Sequence, residues 1–133
     1  MGDNEGMPER AVLIVEDSEH SADALEIALT GIPGVAVVMA RSGMEALRIL
    51  GGRTVGVIVT DLNMPRMDGF ELIRRVREQR ELAGTPIVVV SGDTDPETPE
   101  RVARLGVSAF FPKPYSPGEV RRKLEQILNG TSQ

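Results

Sequence analysis

Five residues stand out for their chemistry: Glu16, Asp17, Asp61, Ser91 and Lys113. Each follows a short apolar run. "AVLIV" ends at Glu16-Asp17, "VGVIVT" ends at Asp61, "PIVVV" ends at Ser91-Gly92, and "SAFF" runs into Pro112-Lys113-Pro114. A buried carboxylate is costly unless paired, so strands that finish on acids suggest a shared rim. Carboxylates about 5 Å apart repel by roughly 3 kcal/mol per pair at an effective dielectric near 20. Lys113 offsets only one of the three negative charges. The remainder suits a hard divalent cation with oxygen ligands, Mg²⁺ or Mn²⁺. Zn²⁺ is a poor match, because the chain has no cysteine and His20 is its lone histidine. A divalent metal, a lysine point charge and a carboxylate in line make a phosphoryl-transfer site. Aspartate can itself accept the phosphoryl group, and Asp61 is the best placed to do so.

These residues need elements that deliver them to one place. The runs at 11–15, 35–40, 55–60 and 86–90 are Val/Ile-rich without alternation, as in parallel strands buried on both faces. The fifth run, 108–111, is weaker, and Pro112 fits best on an edge strand. Helical spacing and start signals fill the intervals. Ser42 with Glu45, Asp68 with Glu71 and Ser116 with Glu119 read as capping boxes, the last with Pro117 at the first helical position. Val120, Leu124, Ile127 and Leu128 form an apolar stripe that ends at Gly130. Residues 18–29 and about 97–105 are further helix candidates. Five β–α units in series predict an α/β, doubly wound parallel sheet with helices on both faces. In such sheets ligands bind at the carboxyl ends of the strands, which is where the acids, serine and lysine fall.

The 133 residues suit one domain at 11–129, with 1–10 read as a disordered lead-in and 130–133 as a frayed end. A net charge of −5 argues against a nucleic-acid partner, which would favour a basic stripe. No apolar run approaches a membrane span, and the polar, acidic start lacks the apolar core of a signal peptide. With no cysteine, these features fit the cytoplasm.

Glu16-Asp17, the stretch "DLNMPRMDG" from Asp61, Ser91-Gly92 and Lys113-Pro114 occur in that order, and this set resembles the receiver domain of bacterial two-component response regulators. The resemblance spans residues 11–129. It implies a five-stranded flavodoxin-like sheet of order 2-1-3-4-5. It implies that Asp61 is the phosphoacceptor and Asp17 a direct Mg²⁺ ligand. Asn63 would offer its backbone carbonyl to the metal, and Glu16 would act through water. Lys113 would hold a phosphoryl oxygen, with a cis bond to Pro114. Ser91 would hydrogen-bond the phosphoryl group, and Phe110 falls at the switch-aromatic position. The implied partners are a sensor histidine kinase or histidine phosphotransfer protein and a downstream protein on the helix 4–strand 5–helix 5 face. Catalysis would be limited to the chain's own phosphorylation and dephosphorylation.

Other readings are weighed by the same residues. An Asp-nucleophile phosphatase would place a second acid two residues after the nucleophile, where Asn63 stands. A flavodoxin-like cofactor module would want hydroxyls and glycines after the first strand, where "VEDSEH" is acidic. A docking receiver that is never phosphorylated has no use for the intact acidic set. Taken singly, Glu16-Asp17 could be a solvated turn, Phe110 core, and Arg74-Arg75-Arg77 and Arg121-Arg122-Lys123 solvated helix faces. His20 reads as an exposed residue at a helix start.

Overall fold

A computed structural model describes residues 10–130. Of the expected lead-in at 1–10 only Arg10 lies within that range, and of the expected frayed end at 130–133 only Gly130 does. In chain order the elements are β1 (Arg10–Val15), α1 (Glu19–Thr30), β2 (Val35–Ala40), α2 (Gly43–Leu50), β3 (Val57–Thr60) and α3 (Gly69–Glu78). After a 3₁₀ turn (Arg80–Leu82) come β4 (Ile87–Ser91), α4 (Thr98–Arg104), β5 (Ala109–Pro112) and α5 (Pro117–Leu128). All strand pairs are parallel, in the order β2-β1-β3-β4-β5. The doubly wound architecture agrees with the expectation from the β–α alternation, and the strand order with that implied by the resemblance.

Alternation along each strand divides the core in two. Leu13, Val15, Ile58 and Val89 face α2, α3 and α4, where they meet Ala46, Leu72, Ile73, Val76 and Val102. Val12, Ile14, Val57, Val59, Val88 and Val90 face α1 and α5, where they meet Leu25, Leu29, Val120 and Leu124. The central strands therefore need apolar residues at every position. Phe110 and Phe111 go to opposite faces, as their adjacency in a strand requires.

The structure corrects several details. Arg10, read as lead-in, is the first residue of β1 and pairs with Val35. The 55–60 run becomes a strand only from Val57. β2, read as buried on both faces, is an edge strand and is only partly buried until Ala40. Pro112 does lie on the other edge strand, β5.

The three helix starts are capped as predicted, but the return halves of the boxes differ. Ser42, Asp68 and Ser116 accept the N–H groups of Glu45, Glu71 and Glu119. Glu45 reaches back to the N–H of Arg41 rather than of Ser42. Glu71 turns to Arg74 and Arg75 instead, which neutralises its charge and lowers its pKa through those hydrogen bonds.

Arg77 was read with its neighbours as a solvated charge and is a structural residue. Its guanidinium donates to the carbonyls of Leu105, Gly106, Ala83 and Thr85 at 2.8–3.1 Å. It thereby joins the C-terminal ends of α3 and α4 at the edge of the sheet opposite the acidic rim. A planar fork with fixed donors can serve several carbonyls at once, which an ammonium cannot do in one geometry.

Candidate functional site

The rim forms because strand ends are in register. Val15 pairs with Thr60, so the next residues, Glu16 and Asp61, leave neighbouring strands at one level. Backbone bonds hold both: Asp61 N–H donates to Val15 O at 3.1 Å, and Glu16 N–H to Ala40 O at 3.0 Å. On the other side Ser91 pairs with Pro112, and Lys113 N–H donates to Ser91 O at 2.7 Å. Residues from four strand ends thus converge through the ladder itself.

The loop after Asp61 is shaped by backbone constraints. Asp61 Oδ1 accepts the N–H groups of Leu62 at 2.6 Å and Asn63 at 3.2 Å, the bonding of an Asx turn at a strand end. Met67 N–H donates to Pro65 O at 2.8 Å, a tight turn that places Arg66 at φ 70°. Gly69 N–H donates to Leu62 O, and any Cβ at Gly69 would strike the Asp61 carbonyl and Leu62. Only glycine lets α3 begin this close to the strand end. Met64 and Met67 are buried beneath the loop.

Charge is concentrated here. One oxygen each from Glu16, Asp17 and Asp61 lies within 4.8 Å of the others. Glu16 is 1% exposed and Asp61 6% exposed, whereas Asp17 opens to solvent. Lys113 Nζ donates to Asp61 Oδ2 at 3.1 Å and to Glu16 Oε1 at 3.3 Å. Glu16 Oε2 accepts the Ser18 N–H at 3.2 Å. Burial raises the Glu16 pKa and Asp61 raises it further, against the Ser18 N–H and Lys113. Burial acts to lower the Lys113 pKa, but the attraction of Asp61 and Glu16 wins and the net shift is upward.

Three carboxylates meeting one ammonium leave an excess of negative charge, and their oxygens are close enough to share one ion. This donor set fits a hard divalent cation. Glu16 is engaged by Lys113 and Ser18, which leaves the exposed Asp17 as the acid most free to meet a metal directly. Asn63 is exposed at the same rim, with its N–H turned to Asp61.

Ser91 is fully buried, and its Oγ accepts the Asp93 N–H at 3.0 Å. Phe110 pairs with Val89 in the β4–β5 ladder and is partly buried against the α2–α3–α4 side. The Lys113–Pro114 bond is cis. His20 is exposed at the start of α1. Tyr115 was missed in the sequence. Burial raises its pKa, and Lys113, Glu16 and Asp61 all act on it, which places its hydroxyl in the field of the site. Its only signal was its position two residues after Lys113.

Comparison with known proteins agrees with this geometry. The model of the response regulator receiver domain family matches residues 12–125. A chemotaxis protein CheY homolog of Campylobacter jejuni is 31% identical over 118 residues, spanning 88% of this chain and 91% of the relative. The two-component response regulator ORR3 of Oryza sativa is 34% identical over 122 residues, spanning 91% and 92%. The crystal structure of a response regulator receiver protein from Pseudomonas putida superposes with a TM-score of 0.82 at 34% identity, covering 89% of this chain and 97% of that one. The order of the strands, the acids gathered at their carboxyl ends and these matches lead to one conclusion: the chain belongs to the response regulator receiver domain family.

Proposed function

We propose that this receiver takes a phosphoryl group onto Asp61 from a phosphohistidine of a sensor histidine kinase or a histidine phosphotransfer protein. The carrying observation is the convergence of Glu16, Asp17 and Asp61 with Lys113 on the buried pair. Asp61 Oδ1 is occupied by two backbone N–H groups, so Oδ2, beside Lys113, is the attacking oxygen. The new P–O bond forms as the P–N bond breaks, and the imidazole leaves with the electron pair. Lys113 then pairs with a phosphoryl oxygen in place of a bare carboxylate. Asp17, Asp61 and the Asn63 carbonyl would hold Mg²⁺ or Mn²⁺, with Glu16 through water, and the bound cation would offset charge on the phosphoryl oxygens.

Phosphorylation adds nearly two negative charges at the rim. The Ser91 hydroxyl turns from the Asp93 N–H to the phosphoryl group, and Phe110 moves inward behind it. The face formed by α4, β5 and α5 then presents a different surface to a downstream protein. Chemistry on external substrates is not part of this reading; the chain acts only on its own phosphoryl group. The setting is cytoplasmic. Among the described residues no helix is long and apolar enough to cross a membrane.

The test is incubation with acetyl phosphate and Mg²⁺, followed by intact mass. Wild type gains one base-labile phosphoryl adduct, and Asp61→Ala gains none. An adduct of equal yield in the variant rejects Asp61 as the acceptor.

A further inference from the structure

Two helices of this chain have a hydroxyl residue before proline at their start and use it differently. At α5, Ser116 precedes Pro117. Ser116 is extended, with φ −84° and ψ 117°, and its Oγ accepts the Glu119 N–H at 3.3 Å. At α4, Thr98-Pro99-Glu100-Arg101 repeats that order, with a hydroxyl residue before proline and a residue three positions on to be capped. Yet α4 starts one residue early. Glu97 takes the N-cap position with helical φ −88° and ψ −9°, and its side chain caps nothing. Thr98 is drawn into the helix, although a residue before proline disfavours helical geometry. Its hydroxyl bears the cost. Thr98 is 0% exposed, and among the described residues its Oγ1 is the one fully buried side-chain polar atom without a hydrogen-bond partner. A buried hydroxyl left unpaired is destabilising and asks for an explanation.

The early start is held by a ladder rooted in the functional rim. Asp93 N–H donates to Ser91 Oγ at 3.0 Å, Asp95 N–H to Asp93 Oδ1 at 2.8 Å, and Glu97 N–H to Asp95 Oδ1 at 2.9 Å. Thr98 N–H donates to Asp95 O at 3.0 Å, and Arg101 N–H to Glu97 O at 3.0 Å. The other end of α4 is fixed independently, because Arg77 holds the carbonyls of Leu105 and Gly106.

We propose that α4 has two starts, and that a phosphoryl group at the Asp61 rim selects the later one, with Thr98 as the N-cap and Pro99 as the first helical residue. The proposal rests on the phosphoacceptor reading above. When the Ser91 hydroxyl turns to the phosphoryl group, Asp93 N–H loses its acceptor and the ladder loses its root. Thr98 relaxes to the extended geometry favoured before proline. Its Oγ1 then accepts the Arg101 N–H, as Ser116 accepts that of Glu119. The unpaired hydroxyl of the resting state thus becomes a cap in the switched state, which biases the equilibrium towards switching.

The test uses the full chain with Mg²⁺ and beryllofluoride as a phosphoryl mimic. Thr98→Val keeps the shape and removes the hydroxyl. It raises the melting temperature of the free protein by several degrees and weakens beryllofluoride affinity about tenfold. Thr98→Ser keeps the hydroxyl and leaves that affinity unchanged, even where loss of the methyl lowers stability. In wild type, the Thr98 Cα and Cβ chemical shifts pass from helical to extended values on adding beryllofluoride. Helical shifts that persist in the bound protein overturn the proposal, as does equal affinity in wild type and Thr98→Val. A wild-type protein that takes up no beryllofluoride overturns the phosphoacceptor reading, and this proposal with it.

Discussion

Lys113 Nζ stands 3.1 Å from Asp61 Oδ2, across 52 positions of sequence. The same ammonium lies 3.3 Å from Glu16 Oε1, 97 positions away. One cation therefore bridges two buried carboxylates that would otherwise repel each other. Its removal exposes that repulsion. Lys113→Met is expected to lower metal-free stability by about 1–2 kcal/mol, less than for a fully buried pair because the lysine is partly solvated. Urea unfolding in EDTA measures this. Mg²⁺ should restore more stability to the variant than to wild type; an equal gain in both would place the cation away from Lys113's partners.

Glu16 makes stability depend on pH in a stated direction. Its folded pKa is raised above the ordinary carboxyl value, by burial first and by Asp61 second. A raised acid contributes stability that is present below the unfolded pKa and lost as pH rises through the folded pKa. Metal-free wild type should therefore lose stability relative to Glu16→Gln between the ordinary glutamate pKa and the raised one. Paired thermal melts across the acid range read the difference. Parallel curves for the two proteins would show that Glu16 does not titrate in this way.

Arg77 holds four carbonyls of two loops. Replacing it with Met should cost about 2–3 kcal/mol, the sum of several modest hydrogen bonds. Arg77→Lys should recover little of this, since an ammonium cannot reproduce the fork. Amide exchange should quicken around residues 105–107, next to α4, while the Asp61 loop keeps its protection. Full rescue by lysine would mean that charge matters here and the donor geometry does not.

Arg66 sits at φ 70° between Pro65 and Met67, and the Met67 N–H donates to the Pro65 carbonyl to close the turn. A side chain in this region is disfavoured, and glycine is not. Arg66→Gly should raise stability by about 0.5–1 kcal/mol, after the entropy that glycine adds to the unfolded chain. Chemical denaturation checks it; a destabilised variant would point to a contact made by the arginine side chain.

The features legible in sequence were those whose signal is local. Continuous apolar runs marked β1, β3 and β4 because a doubly covered strand needs apolar residues on both faces. Ser42, Asp68 and Ser116 marked helix starts because an N-cap bond spans three residues. Glu16, Asp17, Asp61, Ser91 and Lys113 could be assigned to one rim because parallel β–α units return every strand in the same direction. Their family roles came from resemblance.

What local patterns could not determine was which groups meet and which lose water. Val35 to Met39 read like a central strand, yet lie at an edge, because an apolar run does not record its neighbours. Arg74, Arg75 and Arg77 share one stretch of charge, but only Arg77 faces carbonyls brought in by a loop near residue 105. Thr98-Pro99 shares the hydroxyl-proline half of the start signal at Ser116-Pro117, yet α4 begins one residue earlier, where the ladder from Ser91 leads into it. The chain alone determined the alternation and therefore the direction of every strand. Tertiary packing decided burial and pairing, because the cost of an unpaired charge or hydroxyl depends on groups that distant segments bring against it.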